Sequence, residues 1–145
     1  MTRTYSVSRG VRLVNRIVTM LMKLGLGGGN RHLLTVVGRK SGKSYTTPVS
    51  LVEQDGRRYL VAPYGEVAWV KNARAAGKVK LATRSGAEEV AIESVDAHGS
   101  APVLKSYLQN TRITRPYFEI GPDAGVEEFE TIAPNHPVFL IRPIA

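Results

Sequence analysis

Cysteine is absent from the 145 residues. That excludes disulfides, thiolate metal sites and a cysteine nucleophile, so the fold must rest on packing, and a reducing cytoplasm is the compartment expected. Histidine is scarce, at positions 32, 98 and 136 only. These are far apart and match no metal-ligand spacing, so each reads as a surface or satisfied core residue and no metal is expected. Acidic residues are outnumbered, 12 against 20 Lys and Arg, giving a formal charge of +8 and a pI near 10.0. A polyanionic partner would be attracted: nucleic acid, anionic lipid or a phosphorylated cofactor. No apolar run is long and uncharged enough for a membrane-spanning helix, and no small-residue cleavage site of a secretory signal is seen.

What is present fits one ordinary domain spanning 1–145: 43% hydrophobic and 22% charged residues suffice for an independent core. From Val7 to Leu24 the period is helical, with Arg9, Arg12, Arg16, Thr19 and Lys23 forming one narrow polar stripe among apolar residues. Two readings stand side by side. The helix either docks over the rest of the domain or lies on a membrane surface with its cations at anionic head groups. Gly25, Gly27, Gly28 and Gly29 end it and form a joint.

Beyond the joint, short β-runs alternate with turns. Strands are expected over 32–38, 44–54, 57–65, 78–84, 88–96 and 136–143, with Asp55-Gly56 as the strongest hairpin signal. Alanine-rich AWVKNARAAG at 68–77 reads as a short helix stopped by Gly77, 101–112 as a second, and the acidic stretch around Glu127, Glu128 and Glu130 as a third. Six strands joined mostly by hairpins, with few helices, favour an α+β, mainly antiparallel barrel over a doubly wound sheet.

Chemistry concentrates in Gly38-Arg39-Lys40-Ser41-Gly42-Lys43-Ser44, where three cations, hydroxyls and two glycines share one turn. Backbone N–H groups and side chains there can converge on phosphate or carboxylate oxygens. A phosphate-binding P-loop is excluded, because that motif needs four residues between its glycines and a helix after it; here three intervene and a β-rich run follows. A solvated basic hairpin is the competing reading.

The combination of this turn with later segments is more specific. The run from Leu33 to Leu81 carries a strand, G-R-K-S-G, T-P-V, the D-G hairpin, a V-A strand, and W-x-x-N on a helix followed by A-x-G. It resembles the core of the deazaflavin-dependent nitroreductase family, a branch of the split β-barrel flavin oxidoreductases, and the basic N-terminal helix and the closing H-P-V-F strand also fit. The resemblance implies a split antiparallel barrel that transfers a hydride from reduced coenzyme F-420 to an activated alkene, a quinone or a nitro compound. It places Arg39, Lys40, Ser41, Gly42 and Lys43 at the cofactor's phosphate and oligoglutamate tail. Thr47, Pro48 and Val49 would meet one side of the deazaflavin, and Ala62, Pro63 and Tyr64 the other. Trp69, Val70, Asn72 and Ala73 would contribute from the helix. Pro48 agrees independently, since proline inside a strand sits mainly at an edge or bulge that a ligand can reach.

Tyr64 is expected to polarise or protonate the acceptor. Tyr107, Tyr117 and Phe118 are candidates for an acceptor pocket, against a reading as apolar packing, and Trp69 likewise could simply fill a barrel end. Many members of the resembled family carry a longer loop before the tryptophan helix. Here Gly65-Glu66-Val67 is short, and Glu66 would oppose an anionic tail unless it points away or pairs with Arg39 or Lys71. Flavin mononucleotide is the alternative cofactor, and a lipid- or fatty-acid-binding protein the non-enzymatic alternative. Nucleic acid is not expected, because aromatic residues are not interleaved with the basic ones as stacking platforms require. The chain is expected to act as a monomer or homodimer on a small-molecule acceptor in the cytoplasm, with residues 7–24 the only segment suited to peripheral membrane contact.

Overall fold

A computed structural model describes residues 31–83 and 85–144. The expected N-terminal helix and glycine joint lie outside the described residues. Six antiparallel strands close a barrel in the order β1-β2-β3-β6-β5-β4, with β1 (Arg31–Val37), β2 (Ser44–Gln54), β3 (Arg57–Val61), β4 (Lys78–Thr83), β5 (Gly86–Ser94) and β6 (Val138–Pro143). Helix α1 (Ala68–Ala76) follows β3, and α2 (Ala97–Asn110) and α3 (Val126–Ile132) lie between β5 and β6, with 3-10 turns at Arg112–Tyr117 and Ala133–Asn135.

Strand periodicity explains which surface each strand buries. In β4, Lys78 and Lys80 alternate with buried Val79 and Leu81, so one face is wet. In β2, β3 and β6 the apolar doublets Leu51-Val52, Leu60-Val61 and Val138-Phe139 break that alternation and are buried on both faces. One member of each doublet (Leu51, Leu60, Phe139) joins Leu34, Val36, Val79 and Leu81 inside the barrel. The other (Val52, Val61, Val138) packs outward under α2 and α3 against Leu104, Leu108, Phe129 and Ile132. The protein thus has two cores sharing one three-strand wall.

Local rules account for the ends. Asp55 (φ 54°) and Gly56 (φ 75°) make the two-residue turn that joins Gln54 to Arg57. Gly77 (φ 73°) ends α1 in the left-handed conformation and donates its N–H to the Ala73 carbonyl. Helix α2 starts four residues before the expected Ala101, because Asp96 Oδ1 caps it by accepting from Gly99 N–H at 2.7 Å. Its C-terminal carbonyls of Leu108 and Gln109 are met by the Arg115 guanidinium, returning from the 3-10 turn.

Candidate functional site

The six-residue connection Gly38–Lys43 between β1 and β2 is tightly built. Gly38 N–H donates to the Lys43 carbonyl at 2.7 Å, Gly42 N–H to the Gly38 carbonyl at 3.0 Å, and Lys43 N–H to Ser41 Oγ at 3.2 Å. Ser41 Oγ is also bonded to the Tyr45 hydroxyl. Gly38 is required sterically, since a Cβ there would come within 2.7 Å of the Tyr45 ring. The cradle therefore differs from the expected one. Most of its backbone N–H groups are already used to hold its shape, and what it offers a ligand is side-chain charge. Arg39, Lys40 and Lys43 are exposed and, among the described residues, form no ion pair.

Asn72, 6% exposed, anchors this turn to α1. Its Oδ1 accepts from both the Arg39 N–H (3.1 Å) and the Arg39 guanidinium (2.7 Å). The asparagine expected to meet a cofactor directly thus has its carbonyl oxygen committed to positioning Arg39. Lys71 on α1 and Lys80, which pairs with Thr35 across β4 and β1, are exposed on the elements beside the turn. Glu66 does not oppose them: it pairs with Arg74 at 2.7 Å, rather than with Arg39 or Lys71.

The other expected cofactor contacts divide by burial. β3 pairs with β2 only from Leu51 to Gln54, whereas β1 pairs with β2 from Ser44 to Ser50. Thr47, Pro48 and Val49 therefore have a strand neighbour on one side only among the described residues, and Thr47 and Pro48 are partly exposed there. Pro48 sits in the singly paired part of the strand. Val49 points into the barrel core, and Ala62, Val70 and Ala73 are fully buried in the same core. Their side chains are spent on the core, which leaves the backbone as what these positions could offer a ligand. Trp69 packs partly exposed against that core, 6.5 Å from Phe139.

Tyr64 stands within the Ala62–Val67 link between β3 and α1, with its ring edge-on to Tyr117 at 4.8 Å. Tyr107 and Phe118 are buried behind them, 6.1 Å apart. Tyr64 and Tyr117 are half-buried, and of the three candidates for an acceptor pocket Tyr107 and Phe118 are buried, as the alternative reading of apolar packing has it. Burial pushes the Tyr107 phenol well above its ordinary value of 10.0, opposed by the Thr114 hydrogen bond, with Tyr64 near enough to add to the rise.

His136 is the feature that reasoning from sequence alone did not assign to this site. It is 3% exposed and stacks on Phe118 at 4.0 Å. Its Nδ1 lies 2.7 Å from the Pro63 carbonyl and its Nε2 2.8 Å from Glu119 Oε2. The fold brings it there because Ala62 N–H donates to the Pro137 carbonyl, so β6 begins where β3 ends. The partners are 73 and 17 residues away in sequence, which leaves no local signal.

Charge is divided along the chain in the same sense. Residues 31–83 hold ten Lys and Arg against three Asp and Glu, whereas 85–144 hold four against nine. Among the described residues no group of three or more His, Asp and Glu could hold a metal, and no helix is long and apolar enough to cross a membrane.

The sequence matches the model of a family described as F420H(2)-dependent quinone reductase over residues 7–116. No curated protein matches it. Among solved structures, an F420-H2 dependent reductase superposes with a TM-score of 0.53 at 19% identity, over 78% of this chain and 94% of that one. A structure described as a domain-swapped dimer gives 0.56 at 20% identity over 90% and 95%. An FAD-binding protein from Mesorhizobium loti gives 0.51 at 15% identity over 99% and 93%. At these identities the structural likenesses establish the split-barrel fold.

Proposed function

This chain belongs to the F420H(2)-dependent quinone reductase family, and on that premise we propose how its residues serve the reaction and which acceptor it takes. It is an F420-dependent oxidoreductase. The residues fit the cofactor on one observation above others: Arg39, Lys40 and Lys43 converge on a turn whose shape is fixed internally and whose charges no described carboxylate neutralises. Anionic oxygens of a phosphate and an oligoglutamate tail are the natural counter-charges. Asn72 holds the Arg39 guanidinium in place before a ligand arrives, which reduces the ordering cost of binding.

From Asn72 back to Val67 at the start of α1 is about 8 Å of helix rise, and Tyr64 lies three residues beyond. The ring end of a cofactor whose tail meets the turn would be directed toward Thr47, Pro48 and the Tyr64–Tyr117 pair. When bound, the reduced deazaflavin supplies a hydride. The acceptor then develops negative charge on an oxygen, and the Tyr64 phenol donates a hydrogen bond or proton to it. Tyr117 holds the Tyr64 ring edge-on. An electron-poor acceptor of the quinone, activated alkene or nitro class suits a site with this apolar and aromatic lining and a phenolic donor.

Fluorescence titration with oxidised deazaflavin, repeated with flavin mononucleotide, tests the cofactor. Saturable deazaflavin binding at least tenfold tighter than flavin is expected, and the reverse order would overturn the assignment. With the cofactor bound, Tyr64→Phe should lower acceptor turnover about tenfold or more with deazaflavin affinity unchanged. Peripheral membrane contact through residues 7–24, and a monomer or homodimer, remain readings for vesicle co-sedimentation and light scattering to decide.

A further inference from the structure

The reading of Tyr64 and Tyr117 as the acceptor-facing pair leaves open what holds them together. They stand on two segments distant in sequence, the link after β3 and the 3-10 turn after α2. We propose that His136 is a positioning residue that clasps these two segments, one ring nitrogen to each; the inference rests on the reductase reading above.

Geometry defines the clasp. Nδ1 faces the carbonyl of Pro63, the residue before Tyr64, and Nε2 faces the carboxylate of Glu119, two residues after Tyr117. A carbonyl oxygen can only accept, so Nδ1 carries a hydrogen. The second Glu119 oxygen accepts from Asn135 Nδ2 at 3.3 Å, so the Glu119 side chain is held at both oxygens. The contact between Nε2 and Oε2 needs one hydrogen more, borne by the ring or by the carboxyl. Neutral imidazole beside ionised Glu119 cannot satisfy both contacts.

The packing limits alternatives. Phe118 stacks on the ring with planes 9° apart, and Tyr107 lies beyond Phe118. The facing titratable groups are Glu119 from the connecting segment and, across Phe118, Tyr107 of α2, with Tyr64 and Arg31 close to Tyr107. The loop on the other side is equally close. A Cβ on Gly65 would come 3.3 Å from the Asn135 carbonyl, so the link bearing Tyr64 and the segment bearing His136 are in direct contact.

Two substitutions separate the two arms. His136→Asn places a donor where Nδ1 stands and keeps the Pro63 contact, whereas His136→Gln reaches toward Glu119 and gives up Pro63. If the clasp operates, acceptor kcat falls at least tenfold in both, His136→Asn retains more of it than His136→Ala, and deazaflavin Kd stays within twofold of wild type. Folded variants whose kcat stays within twofold would overturn it. Imidazole nitrogen NMR on the cofactor-free wild-type protein supplies an independent readout. A slowly exchanging hydrogen on Nδ1 of His136 supports the clasp, and a neutral ring protonated only on Nε2 refutes it. Wild-type protein that binds no deazaflavin would sink the reductase reading instead, while the NMR result still decides the clasp.

Discussion

The turn after β1 and strand β5 both carry clustered charge, in opposite arrangements. On β5, Glu88, Glu89 and Glu93 each meet a cation from a different strand: Arg58 of β3, Lys78 of β4 and Arg142 of β6. In the turn, Arg39, Lys40 and Lys43 have no such partner among the described residues, and Glu66, just before α1, is paired with Arg74. All these groups are substantially exposed, so neither arrangement contributes much to stability. The lesson is that position, more than number, separates charge that suits folding from charge left for a ligand. A net charge of +8 could not make that distinction.

The largest effect expected from breaking the contrast is on binding. Arg39→Ala/Lys40→Ala should weaken deazaflavin about ten- to a hundredfold while leaving the thermal midpoint nearly unchanged, and wild-type affinity should fall with added salt. Titration at two ionic strengths checks both. Asn72→Ala sharpens the comparison, because it touches the folding and binding sides together. It leaves the Arg39 N–H and guanidinium without their shared acceptor, and should cost about 1–3 kcal/mol in denaturant unfolding with a several-fold loss of affinity. A buried phenol offers a control within the acidic half. Since the folded Tyr107 keeps its proton to higher pH than the unfolded chain, its stabilisation is present at neutral pH and lost as pH rises above about 10. Tyr107→Phe should flatten that alkaline slope in urea melts. Smallest of all, Arg142→Gln should change stability by about 0.5 kcal/mol or less and deazaflavin affinity not at all.

The barrel was legible in sequence to a large degree, because its strands are announced by alternation, as in Lys78 to Leu81, or bounded by turn residues such as Asp55-Gly56. The start of α2 was misplaced by four residues: Gly99 disfavours helix, and the Asp96 cap that overrides it is visible only once folded. The cationic turn was legible as composition, but its internal hydrogen bonds were not, so backbone N–H groups were expected to share with the side chains a task for which most of them are already engaged. Apolar packing stood beside an acceptor pocket as a reading of Tyr107, Tyr117 and Phe118, and nothing local shows that Phe118 is covered by His136. His136 itself was read as a surface or satisfied core residue, and it is a buried, hydrogen-bonded one; that its two partners belong to opposite segments is a tertiary fact.

The shared wall of the two cores carries a further implication, for the fidelity of strand pairing. Strand register is usually enforced by hydrophobic alternation, because sliding by one residue would turn the apolar face to water. Leu51-Val52 and Leu60-Val61 are apolar on both faces, so a slipped β2–β3 pair would lose little apolar burial. The decision falls to the turn, where positive φ at both Asp55 and Gly56 admits only the two-residue connection and aligns Leu51 with Leu60. A surface hairpin remote from the cationic turn thereby determines which residues fill the barrel and which lie beneath the helices.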